Sequence, residues 1–268
     1  MHPGLDAVVV LPTYNESQNV RSIIERLLQL PGVGVLVVDD GSPDGTGDIA
    51  DDLAHATPGR VDVIYRTGPR GLGRSYVEGL QRALTIDAPA IIQMDADWSH
   101  DPAYVPSLLE ALETHDLVIG SRYVQGVSVV NWPLRRILLS AFANRYIRGI
   151  TGLRAHDCTS GYRCWRRTAL ARLPLHSVRS EGYAFLVELL FQAHANGCHI
   201  GEVPIIFIER RAGASKISRR VLLESLATPW RLRVQRAARR IGSTFRRADD
   251  VARANGARVT TGTVNDAG

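Results

Sequence analysis

Short apolar runs, each followed by a stretch with helical periodicity, limit what this chain can fold into. The runs cover 7–11, 33–38, 90–92 and 117–119, with a further short strand over 61–65, and the helical stretches between them run to about 30, over 47–55, over 75–84 and over 102–113. Ser17 or Asn15 is the expected cap of the first helix, and Pro31-Gly32 its stop. Hydrophobicity that is continuous, not alternating, marks strands buried on both faces, as in parallel sheets. Strands and helices that alternate with short connections predict an α/β fold with a doubly wound, mostly parallel sheet. A chain of 268 residues with 45% apolar content has ample material for that core.

Open sheets of this kind bind ligands beyond the C-terminal ends of their strands, and the chemistry-bearing residues cluster there. The 90–92 run leads into Gln93-Met94-Asp95-Ala96-Asp97-Trp98-Ser99-His100. Two carboxylates one residue apart are hard ligands suited to Mg²⁺ or Mn²⁺, and Mg²⁺ is usually held by one or two carboxylates plus substrate phosphates. The alternative is a pair of solvated turn aspartates capping the helix at Pro102. The 33–38 run leads into Asp39-Asp40-Gly41-Ser42-Pro43-Asp44-Gly45-Thr46. A carboxylate pair and a Gly-rich turn before a helix suit a nucleotide, one carboxylate accepting from ribose or base; helix-capping acids are the alternative. The turn is no P-loop, because it lacks Gly-x-x-x-x-Gly-Lys. Arg66 to Arg74 form a flexible basic loop that opens a helix and is able to offer backbone N–H groups to a phosphate.

The second half reads as a helix over 134–150, a polar loop over 156–163 before strand-like residues, an apolar helix over 184–195 and a strand over 200–208. A basic loop over 210–216 then precedes a helix over 221–241, kinked or broken by Pro229. In the 134–150 helix, Arg136, Ser140, Asn144 and Arg148 recur at i+4 steps as a polar stripe beside a large apolar set. That pattern suits a membrane surface; an ordinary core helix with a solvated face is the alternative. Beyond Arg246 the polar, weakly patterned tail predicts disorder.

The net charge of +5 is uneven: residues 210–247 carry twelve Arg or Lys against Glu224, a local net of +11 that leaves the remainder near −6. A basic end of this kind suggests an anionic partner such as lipid headgroups or a phosphate substrate. Nucleic acid is disfavoured, since only Trp230 and Phe245 interleave the basic residues and no zinc or RNP motif occurs. Cys158, Cys164 and Cys198 form no Cys-x-x-Cys pair and read as buried thiols of a reducing compartment. No run approaches the roughly 18 apolar residues of a membrane span, and the N-terminus lacks the pattern of a secretion signal.

Several blocks together resemble the inverting glycosyltransferases of family 2, most of all the dolichol- and polyprenol-phosphate mannose synthases. They are Pro12-Thr13-Tyr14-Asn15-Glu16, the Asp39–Thr46 turn, Met94-Asp95-Ala96-Asp97 with Ser99-His100, Gly120-Ser121-Arg122-Tyr123, Thr159-Ser160-Gly161-Tyr162, and Arg210 with Gly213, Ser215 and Lys216. The resemblance spans roughly 8–220. It implies a GT-A fold in a single domain over 1–245, whose part from about 215 is basic, helical and membrane-proximal. It also implies an enzyme that moves mannose from GDP-mannose to a polyprenyl phosphate at the cytoplasmic face of a membrane. Relatives without membrane-spanning helices often associate with a separate integral membrane protein.

By motif, Pro12, Tyr14, Glu16, Val38 and Asp40 should line the guanosine side, and Asp95, Ala96 and Asp97 should border the diphosphate and an Mg²⁺ or Mn²⁺ ion. Ser99 stands where related enzymes often carry Gln, which leaves a third metal contact to Ser99 or to water. Arg122, Arg136 and Ser140 match positions that hold the lipid phosphate, and Arg210 and Lys216 match a pair closing over the donor phosphates. Asp97, Arg122, Arg210 and Lys216 are thus the expected catalytic set. A different nucleotide sugar (UDP-glucose or UDP-N-acetylglucosamine) on the same acceptor, or an inactive nucleotide-binding regulator, are the competing readings.

Overall fold

In the computed structural model, which describes residues 4–178, 180, 182–208 and 226–236, the apolar runs and the 61–65 segment become strands, and all but the 61–65 strand extend further toward their C-terminal ends. They are β1 (Ala7–Thr13), β2 (Val33–Asp39), β3 (Val61–Tyr65), β4 (Ala90–Gln93) and β5 (Leu117–Ser121). Between them lie α1 (Val20–Leu28), α2 (Thr46–Ala56), α3 (Leu72–Ala83) and, after a 3₁₀ turn, α4 (Val105–Leu112). The second half adds β6 (Val129–Val130), α5 (Leu134–Thr151), β7 (Arg163–Arg166), α6 (Arg167–Leu170), α7 (Gly182–Ala195), β8 (Ile200–Pro204) and β9 (Phe207–Ile208). A helix over 226–236, here α8, follows.

Seven strands form one sheet in the order β3-β2-β1-β4-β7-β5-β8, while β6 and β9 pair separately. Every neighbouring pair is parallel except those of β7, which lies antiparallel between β4 and β5. A mostly parallel sheet is therefore what forms. The β7 insertion decides the site, because it brings the loop before Arg163 to the edge where the parallel strands end.

Strand pleating fills two cores. On β1, Ala7, Val9 and Leu11 join Ile23, Ile24, Leu53 and Leu108 from α1, α2 and α4. Val8 and Val10 join Tyr76, Leu80, Phe185 and Leu190 from α3 and α7 on the other face. Successive side chains point to opposite faces, and since both faces are covered, no polar alternation survives in the sequence. Gly79 lets α3 lie close on this sheet: a Cβ there would fall 2.5 Å from Val10 Cγ1 and 2.8 Å from Val38 Cγ2.

Several boundaries differ from the sequence reading. Neither Ser17 nor Asn15 caps α1. The N–H of Ser17 donates to Asp44 Oδ2 at 3.1 Å and that of Asn15 to Ser42 Oγ at 3.0 Å, so this segment is tied to the β2–α2 turn and the helix starts only at Val20. α3 begins at Leu72, not Ser75, since Gly71 already accepts the first helical hydrogen bond from Ser75 N–H. The expected 200–208 strand divides after Pro204, where Ile205 N–H donates to Ser121 and Phe207 N–H to Ser128, carrying the chain from β5 over to β6. α8 runs through Pro229 without a break. The rest of the 221–241 helix, the 210–216 loop and the tail from 246 lie outside the described residues. All three cysteines are buried and free, as expected.

Candidate active site

The ends of β1, β2, β4 and β5, and the loop entering β7, share one edge of the sheet. On the β1–β2 side, Asp39 accepts hydrogen bonds from Thr13 Oγ1 (2.9 Å), Ser42 N–H (2.8 Å) and Ser42 Oγ (2.6 Å). One carboxylate oxygen of Asp40 holds the Arg66 guanidinium, and the other accepts from Gly71 N–H at 2.8 Å. Asp40 therefore pins the basic loop across the end of β2, while Arg66 also reaches Glu78 at 2.9 Å. On the rim, the exposed Tyr14 accepts from Arg70 Nη1 at 2.5 Å, and that guanidinium lies 4.4 Å over the Tyr14 ring. Pro12 and Val38 oppose each other in register and are buried. Glu16 accepts from Asn19 Nδ2 at 2.8 Å, and its own N–H donates to Thr46 Oγ1 at 2.9 Å. Burial would raise the Asp44 carboxyl, but hydrogen bonds from Thr46 and Ser17 outweigh it and bring its pKa down to about 2.

On the β4 side, Asp95 Oδ1 accepts from the buried Tyr76 hydroxyl at 2.6 Å. The Asp95 N–H donates to His100 Nδ1 at 3.0 Å, so that nitrogen is an acceptor and the ring proton sits on Nε2. Burial lowers the His100 pKa, in keeping with a neutral ring, which stacks on Tyr162 at 4.9 Å. Asp97 is buried and its Oδ1 accepts from Ser99 N–H at 3.1 Å, with Trp98 between them at φ 63°. Ala96 and Ser99 are buried beside it. Neither aspartate caps the turn that follows; Asp101 does so, accepting from Ala103 N–H at 2.8 Å.

These residues fit a divalent cation. Asp95 Oδ2 accepts no hydrogen bond among the described residues, and its side chain remains 32% exposed. Among the described residues there is no cluster of three or more His, Cys, Asp or Glu able to hold a metal. Two hard carboxylates that leave the other positions to ligand and water oxygens suit Mg²⁺ or Mn²⁺ on a diphosphate.

On the β5 side, Arg122 is nearly buried. Its Nε and Nη2 form a bidentate pair with Asp157 at 2.7 Å each, and Nη2 also donates to Thr159 Oγ1 at 2.8 Å. Burial alone would raise the Asp157 carboxyl; the Arg122 charge and the hydrogen bonds from Arg122 and Thr159 lower it on balance. The resemblance places Arg122 on the lipid phosphate, yet this edge of its guanidinium is already engaged by Asp157. Its guanidinium also lies near Tyr123, Trp132 and Phe207, at 5.6, 5.6 and 5.4 Å from the ring centres. Arg136 stacks on Trp132 at 4.0 Å. Ser140 Oγ accepts from Tyr123 Oη at 2.7 Å, and Asn144 bonds Cys158 N–H at 2.8 Å.

Arg136, Ser140 and Asn144 thus turn inward and only Arg148 of the stripe is exposed, whereas Leu134, Leu138, Leu139 and Phe142 stand 59–69% exposed. The inner side of α5 is mixed, with Asn144 and Thr151 buried beside Ile147 and Ile150, and its outer side carries the exposed leucines together with Arg135, Arg145 and Arg148. α8 continues this apolar surface: Trp230 Nε1 donates to Tyr146 Oη at 3.0 Å, Tyr146 Oη donates to Leu226 O at 2.9 Å, and Leu226, Trp230 and Val234 are exposed.

The edge therefore gathers Pro12, Tyr14, Glu16, Val38 and Asp40 at the β1–β2 end, Asp95, Ala96, Asp97 and Ser99 after β4, and Arg122, Arg136 and Ser140 near the β7 loop. Arg210 and Lys216 lie outside the described residues. Reading the sequence assigns no role to Tyr76, Asp157 or Trp132, nor a separate one to His100. Tyr76 sits on the apolar face of α3 and looks like core; Asp157 has no meaning until β7 returns antiparallel and sets it beside Arg122.

A family model for glycosyl transferase family 2 matches residues 8–173. The chain is 45% identical over 237 residues to the polyprenol monophosphomannose synthase of Mycolicibacterium smegmatis, covering 87% of this chain and 89% of that protein. It is 43% identical over 228 residues to the undecaprenyl-phosphate mannosyltransferase of Micrococcus luteus, covering 84% and 93%. Among solved structures, glucosyl-3-phosphoglycerate synthase from Mycobacterium tuberculosis, in complex with Mn²⁺, UDP-glucose and phosphoglyceric acid, superposes with a TM-score of 0.60 at 22% identity, covering 84% of this chain and 80% of that one. The seven-stranded, mostly parallel sheet is that of a GT-A fold.

Proposed function

This chain belongs to glycosyl transferase family 2, and from that premise we propose that it transfers mannose from GDP-mannose to a polyprenyl phosphate at a membrane surface, inverting the anomeric centre. The names of the two bacterial relatives support mannose and the polyprenyl acceptor; guanosine rests on the resemblance of the β1 and β2 motifs. The observation that carries the reading is the orientation of α5. Its inner side offers Arg136, Ser140 and Asn144 beside Arg122, while its outer side offers Leu134, Leu138, Leu139 and Phe142. A lipid phosphate needs both at once, a polar cleft for the head and an apolar surface at the bilayer for the chain. Exposed Arg135, Arg145 and Arg148 flank that surface, and each basic residue near an anionic leaflet contributes about 1 kcal/mol of attraction.

The acceptor phosphate is already ionised at neutral pH, so no general base is needed to create the nucleophile. Its oxygen forms the new bond to the sugar's C1 as the bond from C1 to the diphosphate breaks, that electron pair leaving on GDP. Attack from the opposite side yields a β-linked mannosyl phosphate. Asp95 and Asp97 would hold Mg²⁺ or Mn²⁺, which would supply Lewis-acid stabilisation of the departing diphosphate. By motif, Arg210 and Lys216 would add charge on the same leaving group, and Ser99 is the further side chain placed to help hold the ion. Arg122, its charge balanced by Asp157, holds Thr159 in place at the acceptor subsite, and Arg136 supplies direct hydrogen bonds to the phosphate.

The test offers the purified protein, Mn²⁺ and a short polyprenyl phosphate with GDP-mannose, UDP-glucose and UDP-N-acetylglucosamine in parallel, and reads extracted lipid by mass spectrometry. Mannosyl lipid phosphate formed only from GDP-mannose is the expected result; product from a UDP-sugar refutes the donor, and no product with any donor refutes the reaction. Arg136→Ala should raise the acceptor KM on the order of 10- to 100-fold with kcat little changed, the effect of losing hydrogen bonds to a charged group. An unchanged acceptor KM removes Arg136 from the subsite. Leu138→Glu combined with Phe142→Glu should lower co-sedimentation with anionic vesicles by roughly 100-fold or more, since each apolar side chain loses about 1.5–3 kcal/mol of burial. Transfer to a detergent-dispersed acceptor should persist. Unchanged vesicle binding with lost transfer would instead assign the face to a membrane-protein partner.

A further inference from the structure

Tyr76 lies outside every expected role, yet it is fully buried and its hydroxyl is aimed at Asp95 Oδ1, 2.6 Å away. Its ring stacks on Phe185 with 5.8 Å between centres and 7° between planes, while the hydroxyl's direction is set by its bond to Asp95. Burial and the neighbouring Asp95 raise its pKa well above the ordinary value, so at neutral pH it is always a donor. The helix carrying it is fixed at its start too, because Gly71 N–H is held by Asp40 at 2.8 Å. α3 is thus a strut between a carboxylate at the end of β2 and one at the end of β4. The second oxygen, Oδ2, accepts no hydrogen bond among the described residues and lies 3.9 Å from His100 Nδ1, a nitrogen already occupied by the Asp95 N–H.

We propose that Tyr76 is a positioning residue that makes Asp95 a one-oxygen ligand and so favours a small octahedral cation over a larger one. The proposal rests on the reading of Asp95 and Asp97 as the cation site. Mg²⁺ demands near-ideal octahedral geometry with few protein ligands, whereas Ca²⁺ takes six to eight oxygens and readily uses a carboxylate in bidentate fashion. A hydroxyl on Oδ1 occupies one of that oxygen's lone pairs and fixes the carboxylate plane, which leaves Oδ2 the better-placed ligand atom. Without it, Asp95 is free to rotate and to present both oxygens. Partners that orient a ligand in this way commonly change metal affinity by about 10- to 100-fold when removed.

The test is Tyr76→Phe in the full chain, which keeps the ring and its stack. Mn²⁺ binding with GDP present is followed by electron paramagnetic resonance, and Ca²⁺ is titrated against it. Mn²⁺ affinity should fall about 10-fold, and the ratio of Ca²⁺ to Mn²⁺ affinity should rise by a similar factor. Transfer measured in parallel should show a raised Mn²⁺ requirement, with kcat at saturating Mn²⁺ within a few-fold of the parent. Phe185→Leu serves as the packing control: it removes the stacked ring but leaves the hydroxyl, and should lower thermal stability without moving the affinity ratio. An unchanged ratio in Tyr76→Phe overturns the proposal, whatever happens to its melting temperature, as does an equal shift in both variants. If Asp97→Ala leaves Mn²⁺ binding to the parent background intact, the cation reading itself is wrong, an outcome distinct from failure of Tyr76 alone.

Discussion

Asp97→Ala should abolish transfer, with kcat falling roughly 1,000-fold or more at saturating donor and Mn²⁺. Asp97 sits just past β4 in the middle of the sheet edge, is buried, and has its orientation set by the Ser99 N–H at 3.1 Å. Removing it takes away one of the two hard carboxylates and leaves the diphosphate charge without its counterpart as the C1 bond breaks. More donor should not rescue the variant, because the loss is greatest when charge builds on the leaving group. Ser99→Ala is the useful comparison. Ser99 orients Asp97 through its backbone, which alanine retains, so activity within about 3-fold of the parent would assign the third metal contact to water. The decisive measurement is single-turnover transfer with labelled donor. Turnover of Asp97→Ala within 10-fold of the parent would remove Asp97 from the leaving-group site.

Asp157→Ala should cost about 3–5 kcal/mol of stability, the typical effect of leaving one partner of a buried ion pair alone. Asp157 is fully buried and Arg122 nearly so, and the pair is bidentate. Against a total of roughly 5–15 kcal/mol this is a severe loss, visible as a lower urea midpoint. The pH dependence has a definite sign. The folded pKa of Asp157 lies below the ordinary 3.8, so its stabilisation is fully present above pH 3.8 and is lost only as pH falls below that, through the folded value. The parent should therefore lose this contribution in acid, and Asp157→Ala should show a flatter stability profile below pH 3.8. Arg122→Met with Asp157→Leu should recover much of the stability, because an apolar pair of similar volume carries no unpaired charge. On the proposed reading it should not recover use of the acceptor, since the guanidinium that holds Thr159 is gone. A double variant as unstable as Asp157→Ala would mean that the site depends on more than this pair.

The sequence by itself determined the layered α/β plan, and for a clear reason. Strands covered on both faces must be apolar throughout, and helices on a sheet must be apolar on one side, so 7–11, 33–38 and 90–92 announce buried strands without any structure. It also determined that Asp39, Asp40, Asp95 and Asp97 would share an edge, because parallel strands deliver their C-terminal ends to the same side. Local hydrogen bonds were the first thing it could not supply: Ser17 looks like a helix cap until Asp44, 27 positions away, takes its N–H.

Tertiary structure alone decided the acceptor side. The 3.6-residue period of α5 gives an apolar and a polar face but not which of them meets the protein, since that depends on what stands opposite. Here Tyr123 and Cys158 present polar groups to Ser140 and Asn144, so these two turn inward, while Leu138, Leu139 and Arg148 stay outside. Likewise, β7 is a four-residue strand whose direction is set only by pairing with β4 and β5. Running antiparallel, it delivers Asp157 and Thr159 to Arg122. Tyr76 reads as one more core aromatic, because periodicity records burial and carries nothing about where a hydroxyl points.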